Sequence, residues 1–256
     1  MRATILERQS QPLRAVELPD PTPEPGQLLL KVHACGVCRT DLHLRDHEIE
    51  ATKLPVVLGH QIVATTDDGR RAGVPWLGWT DGTCKYCTSE RENLCVNGRF
   101  TGRDIDGGYA ELTVADERYC LELPDELSDE DAAPLLCGGL IGYRALTLTG
   151  DAPRLGLYGF GSAAHMICQV AVFQGREVFA FTRPGDERTQ EFARSLGASW
   201  AGGSDETPPE QLDGAIIFAA VGELVPQALS VLAPDGVVVC AGIFMTDYSD
   251  QAGARR

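Results

Sequence analysis

The densest chemistry in the chain lies at residues 33–43, His-Ala-Cys-Gly-Val-Cys-Arg-Thr-Asp-Leu-His. Cys38 can bind zinc as a thiolate. Thr40 can exchange a proton with a substrate oxygen, Asp41 can orient a metal-bound imidazole from behind, and His43 can pass a proton outward. His60, in Gly59-His60, offers a second ligand, and Cys137 follows in Leu-Leu-Cys-Gly-Gly. Two thiolates and one imidazole leave a tetrahedral zinc with one open position, which is a catalytic rather than a structural set.

A second group is Asp81-Gly-Thr-Cys84-Lys-Tyr-Cys87, with Cys95 further on. A closed structural zinc site needs four ligands, and the cysteines supply three. Asp81 precedes Cys84 by the same step that separates Cys84 from Cys87, so an Asp81-Cys84-Cys87-Cys95 set is expected. The alternative is three reduced thiols in a disordered surface loop. Zinc binding is worth ~10–16 kcal/mol in finger peptides, against ~5–15 kcal/mol for the stability of a whole domain. Occupancy would therefore decide whether the loop folds.

A third group is Gly159-Phe-Gly161-Ser-Ala-Ala164, a G-x-G-x-x-A turn between a predicted strand, Leu155–Tyr158, and a predicted helix, 164–174. Gly159 permits a tight turn, Gly161 lets backbone approach a pyrophosphate, and Ala164 packs closely on the sheet. The phosphates would rest on the helix N-terminus, where free N–H groups and the dipole favour an anion. A turn that merely packs strand on helix is the alternative. An acidic residue at the end of the next strand, Glu177–Thr182, would take the ribose 2′-OH. The chain has Thr182-Arg183 there. A hydroxyl and a guanidinium suit a 2′-phosphate, so NADP(H) is favoured over NAD(H), unless Arg183 is only a solvated surface residue.

The elements that must position these groups fall into two styles. Up to Leu123 the chain reads as short strands broken by Pro and Gly, a β-rich barrel pattern: 3–7, 13–18, 27–34, 55–60, 61–65, 73–79, 108–114 and 119–123. Ser128-Asp-Glu-Asp131 then starts a helical stretch through Leu148, with Cys137 inside it or at a break. Beyond it, strands and helices alternate, with later strands at 198–201, 215–220 and 237–241, as in a parallel doubly wound sheet. The domains read as 1–127, a connecting segment 128–150, 151–245, and a tail 246–256.

A net charge of −15 disfavours nucleic acid and anionic membrane as partners. No apolar run approaches ~18 residues, so no membrane span is expected. The N-terminus has no signal-peptide pattern and the nine Cys are an odd count, which points to metal sites and buried thiols in a cytoplasmic protein rather than to disulfides. Cys35 forms C-x-x-C with Cys38 but reads as a bystander. Cys120, Cys168 and Cys240 read as core thiols, His33 and His165 as structural, His47 as a loop residue, and Trp76 and Trp79 as wall or core.

Together the strings GVCRTDLH (36–43), LGH (58–60), GVPWLGW (73–79), CKYC with Cys95, GGYAE (107–111), APLLCGGLIGYRAL (133–146) and YGFGSAAH (158–165) resemble the zinc-dependent alcohol dehydrogenases of the medium-chain dehydrogenase/reductase superfamily. Alcohol dehydrogenase is itself the standard example of a Cys2His catalytic set. The resemblance implies a GroES-like catalytic domain followed by a Rossmann sheet. It implies catalytic zinc on Cys38, His60 and Cys137, with Thr40 on the alcohol oxygen, Asp41 orienting His60, and His43 relaying a proton through the cofactor ribose. Zinc would act as a Lewis acid, and hydride would pass between the nicotinamide and a small alcohol or aldehyde.

Four departures from the family pattern stand out. Gln61 replaces a Glu, and Asp81 replaces a Cys. The segment between Ile62 and Gly73 is short, so a barrel strand is expected to be missing. The sequence stops after the fifth Rossmann strand, so the sheet is expected to lack its last strand, and the exposed fifth strand is a candidate homo-oligomer contact. The leading expectation is a zinc- and nicotinamide-dependent alcohol/aldehyde oxidoreductase. The alternative is a shortened relative without redox activity, either a non-redox zinc enzyme of lyase or cyclase type or inactive.

Overall fold

The computed structural model describes residues 1–248. The chain divides into two compact units, one from Met1 to Cys137 and one from Gly138 onward.

In the first unit the strands are β1 (Arg2–Leu6), β2 (Arg14–Glu17), β3 (Gln27–Cys35), β4 (Val56–Val57), β5 (Ile62–Thr66), β6 (Arg71–Val74), β7 (Leu77–Trp79), β8 (Arg99–Phe100), β9 (Leu112–Asp116) and β10 (Leu121–Glu122). Helix α1 spans Arg39–Arg45 and α2 spans Asp129–Ala132. The strands form antiparallel sheets ordered β10-β6-β5-β3-β9 and β2-β1-β4, with β7 and β8 as a separate pair. Leu30, Ile62, Ala64, Ala72, Val74 and Ala115 fill one core, and Leu6, Leu44, Val56 and Leu58 another. Each fully buried Leu or Ile contributes roughly 1.5–3 kcal/mol, so these clusters fix the strand ends that carry the site. Strand β3 loses register at His33, between Val32 and Ala34. Such a bulge bends the strand, here just before the Cys35–Cys38 turn.

The short segment after Ile62 holds a single hairpin, β5–β6, turning through Asp68 and Gly69, whose φ is +85°. The strand expected at 108–114 is displaced to Leu112–Asp116 because Gly107 and Gly108 instead donate backbone hydrogen bonds to Val57 O and Gly59 O. Likewise, Tyr119 belongs to a 3-10 turn, 117–119, rather than to a strand. The helical stretch from Ser128 is not continuous. Ser128 Oγ accepts from Asp131 N–H at 3.0 Å and caps α2, but Pro134 lacks the N–H that an α-helix needs. The chain tightens to a 3-10 turn over 133–136, then leaves helical geometry at Cys137 (φ −135°, ψ −72°).

The second unit contains α3 (Gly138–Leu148), β11 (Arg154–Tyr158), α4 (Ser162–Phe173), β12 (Glu177–Thr182), α5 (Glu187–Ser195), β13 (Trp200–Gly203), β14 (Leu212–Ile217), α6 (Leu224–Ser230) and β15 (Leu232–Cys240). The sheet order is β13-β12-β11-β14-β15, with every neighbouring pair parallel. This is the doubly wound order, and it reverses between β11 and β14, where such sheets bind ligands. Continuous apolar runs explain the strands: Phe179, Ala180 and Phe181 are all buried, as a sheet covered on both faces requires. Strand β15 is the sheet edge among the described residues. Cys240 on it is exposed and Cys120 only half-buried, so of the three expected core thiols only Cys168 is buried. In the tail, Thr246 Oγ1 accepts from Gly222 N–H at 2.9 Å, and 249–256 lie outside the described residues. No described helix is long and apolar enough to cross a membrane.

Candidate metal centres and dinucleotide loop

Asp41 ties the first site together. Cys38 sits at the N-cap of α1, and Asp41, in the first turn, reaches back so that its Oδ2 accepts from Cys38 N–H at 2.7 Å. The same oxygen accepts from Tyr109 OH at 3.0 Å, while Oδ1 accepts from Gly59 N–H at 3.2 Å and lies 3.5 Å from His60 Nδ1. Burial pushes the Asp41 carboxyl up, but the nearby His60 ring and its bonds from Cys38 N–H and Tyr109 OH outweigh that and hold it below the usual range. Gly59 makes the turn possible: its φ is +95°, and a Cβ there would lie 2.6 Å from the Tyr109 ring and 2.7 Å from Cys35 Sγ. Only glycine fits that position.

The helix break delivers Cys137. Its Sγ lies 3.7 Å from Cys38 Sγ, close to the ~3.8 Å edge expected for two thiolates ~2.3 Å from a tetrahedral zinc. The ligand atoms of Cys38, His60 and Cys137 all lie within 4.8 Å of one another. His60 is 1% exposed, its ring edge-on to Trp76 at 4.8 Å, and neither ring nitrogen has a well-formed hydrogen bond. Burial lowers the His60 pKa, but Asp41 and Cys38 outweigh it and raise it to about 9. The Cys38 thiol is lowered to about 4, first by its bond with Cys137 and then by His60, against burial. That same bond, together with burial, drives the Cys137 thiol up. A buried imidazole with unsatisfied nitrogens beside two thiols at tetrahedral spacing fits a zinc ion, because buried polar groups otherwise cost free energy. Cys35 stands apart as a half-buried thiol pushed up to about 12, mainly by desolvation.

Thr40 Oγ1 lies 3.6 Å from Cys38 Sγ and is buried. His43 is 3% exposed, and its Nδ1 pairs with the carboxylate of Glu48, an exposed residue. Gln61, also buried, lays its amide over Gly36. Tyr109, Trp76 and Glu48 were not identifiable as site residues from the sequence. Each is an ordinary residue type whose role comes only from what it touches.

The second cluster also assembles. Ligand atoms of Asp81, Cys84, Cys87 and Cys95 lie within 4.8 Å of one another, with Cys84 Sγ 3.5 Å from Cys87 Sγ. Asp81 Oδ1 accepts from Thr83 N–H and Cys84 N–H, both at 2.9 Å, and Oδ2 accepts from Asn97 Nδ2 at 2.7 Å. Those bonds, Cys84 N–H first, hold the Asp81 carboxyl well below the usual range. No residue from 81 to 100 is buried: every side chain in that stretch is half-buried or exposed. The donor set fits a metal that closes the loop in place of a core.

In the second unit, Gly159 has φ +85°, and a Cβ there would lie 2.7 Å from the Ala219 methyl and 2.9 Å from Ala219 N. Gly161 caps α4 without a side-chain hydrogen bond, and a Cβ on it would meet nothing within 4 Å. Ala164 is fully buried. Open space before a helix N-terminus with unsatisfied N–H groups fits a pyrophosphate. Thr182 requires a correction. Its hydroxyl is buried, bonded to Arg183 O or Gly202 O, and accepts from Gln190 Nε2 at 3.1 Å, so it is turned into the protein rather than towards a 2′-phosphate. Arg183 is exposed.

Residues 24–125 match the alcohol dehydrogenase GroES-like domain family. The chain is 44% identical over 256 residues to the Mycobacterium tuberculosis protein named "Probable alcohol dehydrogenase AdhA", an alignment spanning 93% of this chain and 73% of that one. The chain belongs to the zinc-dependent alcohol dehydrogenases. Among solved structures it resembles a zinc-binding dehydrogenase of Sinorhizobium meliloti 1021 bound to NADP, with TM-score 0.82 and 28% identity over 94% of this chain and 76% of that one. It also resembles acetophenone reductase from Geotrichum candidum in complex with NAD, with TM-score 0.85 and 25% identity over 98% of this chain and 78% of that one. Membership of the alcohol dehydrogenases makes this chain an oxidoreductase of the alcohol class, and it spans about three quarters of the length of these relatives.

Proposed function

We propose that this alcohol dehydrogenase interconverts a small alcohol and its aldehyde or ketone, using a zinc ion held by Cys38, His60 and Cys137 and a nicotinamide dinucleotide held by the Gly159–Ala164 turn. The observation that carries the reading is the meeting of those three ligand atoms within 4.8 Å around a buried His60 whose nitrogens lack good partners. When bound, zinc supplies Lewis acidity towards the substrate oxygen. A bound nicotinamide supplies or accepts the hydride.

The remaining work falls to this chain's own groups. Asp41 orients the His60 ring from behind and, in the neutral imidazole, holds the proton on Nδ1, which leaves the other nitrogen for the metal. Thr40 offers a hydroxyl beside Cys38 that can hold the proton of the reacting oxygen. His43, with its Nδ1 on Glu48, can take a proton on from there. Gly161 leaves room for the pyrophosphate, and the first turn of α4 offers it N–H groups. Exposed Arg183 at the end of β12 favours NADP(H) over NAD(H), in keeping with the NADP bound by the Sinorhizobium relative. Asp81, Cys84, Cys87 and Cys95 hold a second, structural zinc.

The test is zinc stoichiometry and coenzyme turnover on one preparation. With about one zinc or more per chain, NADPH should be consumed with at least one member of an aldehyde and ketone panel. Zinc-loaded protein that consumes neither NADPH nor NADH with any of them overturns the reading.

A further inference from the structure

The end of β12 is not the only charged feature at the place where a doubly wound sheet meets the adenosine ribose. Thr182 pairs with Gly203 across the parallel β12–β13 ladder, and Ser204 N–H donates to Thr182 O at 2.8 Å. The residues that follow, Arg183-Pro184 on one side and Asp205-Glu206 on the other, therefore leave the sheet side by side. A methyl placed on Gly203 would lie 2.5 Å from Asp205 Oδ1, 3.1 Å from Glu206 Oε1 and 3.2 Å from the Cα of Pro184. Both carboxylates thus crowd the backbone immediately after Arg183. Glu206 is fixed there, since its Oε1 accepts from Gly203 N–H at 2.6 Å. Arg183, Asp205 and Glu206 are all exposed, and none forms an ion pair among the described residues. Of the other charges nearby, Asp186 is occupied in capping α5 through Thr189 N–H and feels both Arg183 and Arg188.

We propose that Asp205 and Glu206 are specificity-determining residues that oppose Arg183: the guanidinium attracts a 2′-phosphate and the acidic turn repels it, so the chain accepts both NADP(H) and NAD(H). The inference rests on the reading that the end of β12 faces the adenosine ribose. A phosphate brought beside Arg183 comes within a strand spacing or two of both carboxylates, and at ~5–10 Å like charges interact appreciably even under partial screening. A 2′-hydroxyl carries no charge and is indifferent to them.

The experiment measures dissociation constants of NADPH and NADH by titration of the full chain and its variants Asp205→Asn/Glu206→Gln and Arg183→Ala. Gln at 206 keeps an acceptor for Gly203 N–H, so the turn is preserved. The neutralised double variant should bind NADPH about 5-fold or more tighter with NADH changed by less than about 2-fold, and the gain should shrink between ~20 and ~500 mM salt. Unchanged NADPH affinity in the double variant overturns the proposal and leaves the turn with a purely structural part. Arg183→Ala reports separately on the NADP(H) preference and should weaken NADPH by about 10-fold. If it leaves NADPH unchanged while the double variant tightens it, the preference for NADP(H) falls and the acidic turn stands. A parent chain that binds neither dinucleotide overturns both.

Discussion

The two metal-ligand clusters of the first unit are held in opposite ways. Cys38, His60 and Cys137 come from distant parts of the chain, and two of them are set by the core: His60 lies between Leu58 and Ile62, both fully buried, and Cys137 follows Leu136, 3% exposed. Asp81, Cys84, Cys87 and Cys95 lie within fifteen positions of one another, in a stretch with no buried side chain. In the first cluster the fold holds the ligand atoms, so a metal would arrive at a site already made. In the second the ligands would hold the fold, because no buried apolar side chain in the stretch does so. The same element would thus act as a reagent at one site and as a cross-link at the other.

The largest expected effect lies at the second cluster. Cys87→Ser, or removal of its metal, should free the loop and expose Lys85 and Arg91 to trypsin, with cleavage faster by at least ~100-fold given the ~10–16 kcal/mol associated with finger-type sites. A loop that stays protected without metal would break the comparison. Next comes Cys38→Ser. It should lower kcat/KM by about 1,000-fold, or ~4 kcal/mol of transition-state stabilisation. Thermal melting should move by no more than a few degrees, on the order of 1 kcal/mol. Collapse of the melting transition would show that this metal also supports the fold.

Asp41→Asn probes the frame behind His60. Loss of such a partner should weaken zinc affinity by about 10- to 100-fold, read by competition with a chromophoric chelator. Equal affinity would mean that Gly59 and Tyr109 suffice to place the imidazole. Tyr109→Phe is the smallest step. It removes one hydrogen bond to Asp41 and should cost about 1 kcal/mol of stability with only a few-fold loss of zinc affinity. A larger effect than that of Asp41→Asn would reverse the order of roles assigned to the two residues.

Legibility in the sequence followed distance along the chain. The Asp81 cluster, the G-x-G-x-x-A turn and the Cys38–His43 run are local, so spacing alone suggested their chemistry. The alternation from β11 onward gave the doubly wound sheet, because buried parallel strands such as Glu177–Thr182 appear as unbroken apolar runs. The first unit was less readable. Its strands are short, and whether Gly107 and Gly108 continue a strand or bind the Val57–Gly59 backbone is a tertiary choice. Thr182 shows the same limit: a hydroxyl beside an arginine suggested a phosphate ligand, yet Gln190 and the Gly202 carbonyl claim it.

By itself the sequence determined which groups could do chemistry and which short segments would present them, since periodicity, capping and glycine turns act over a few residues. Only the tertiary structure decided which groups meet. Cys137 reaches Cys38 because Pro134 and the residues after it break a helix at one place, and Tyr109 reaches Asp41 because only a glycine fits at position 59. Asp205 and Glu206 come beside Arg183 through the pairing of β12 with β13. Contacts between residues far apart in the chain depend on how sheets and helices pack, and no local pattern carries that information.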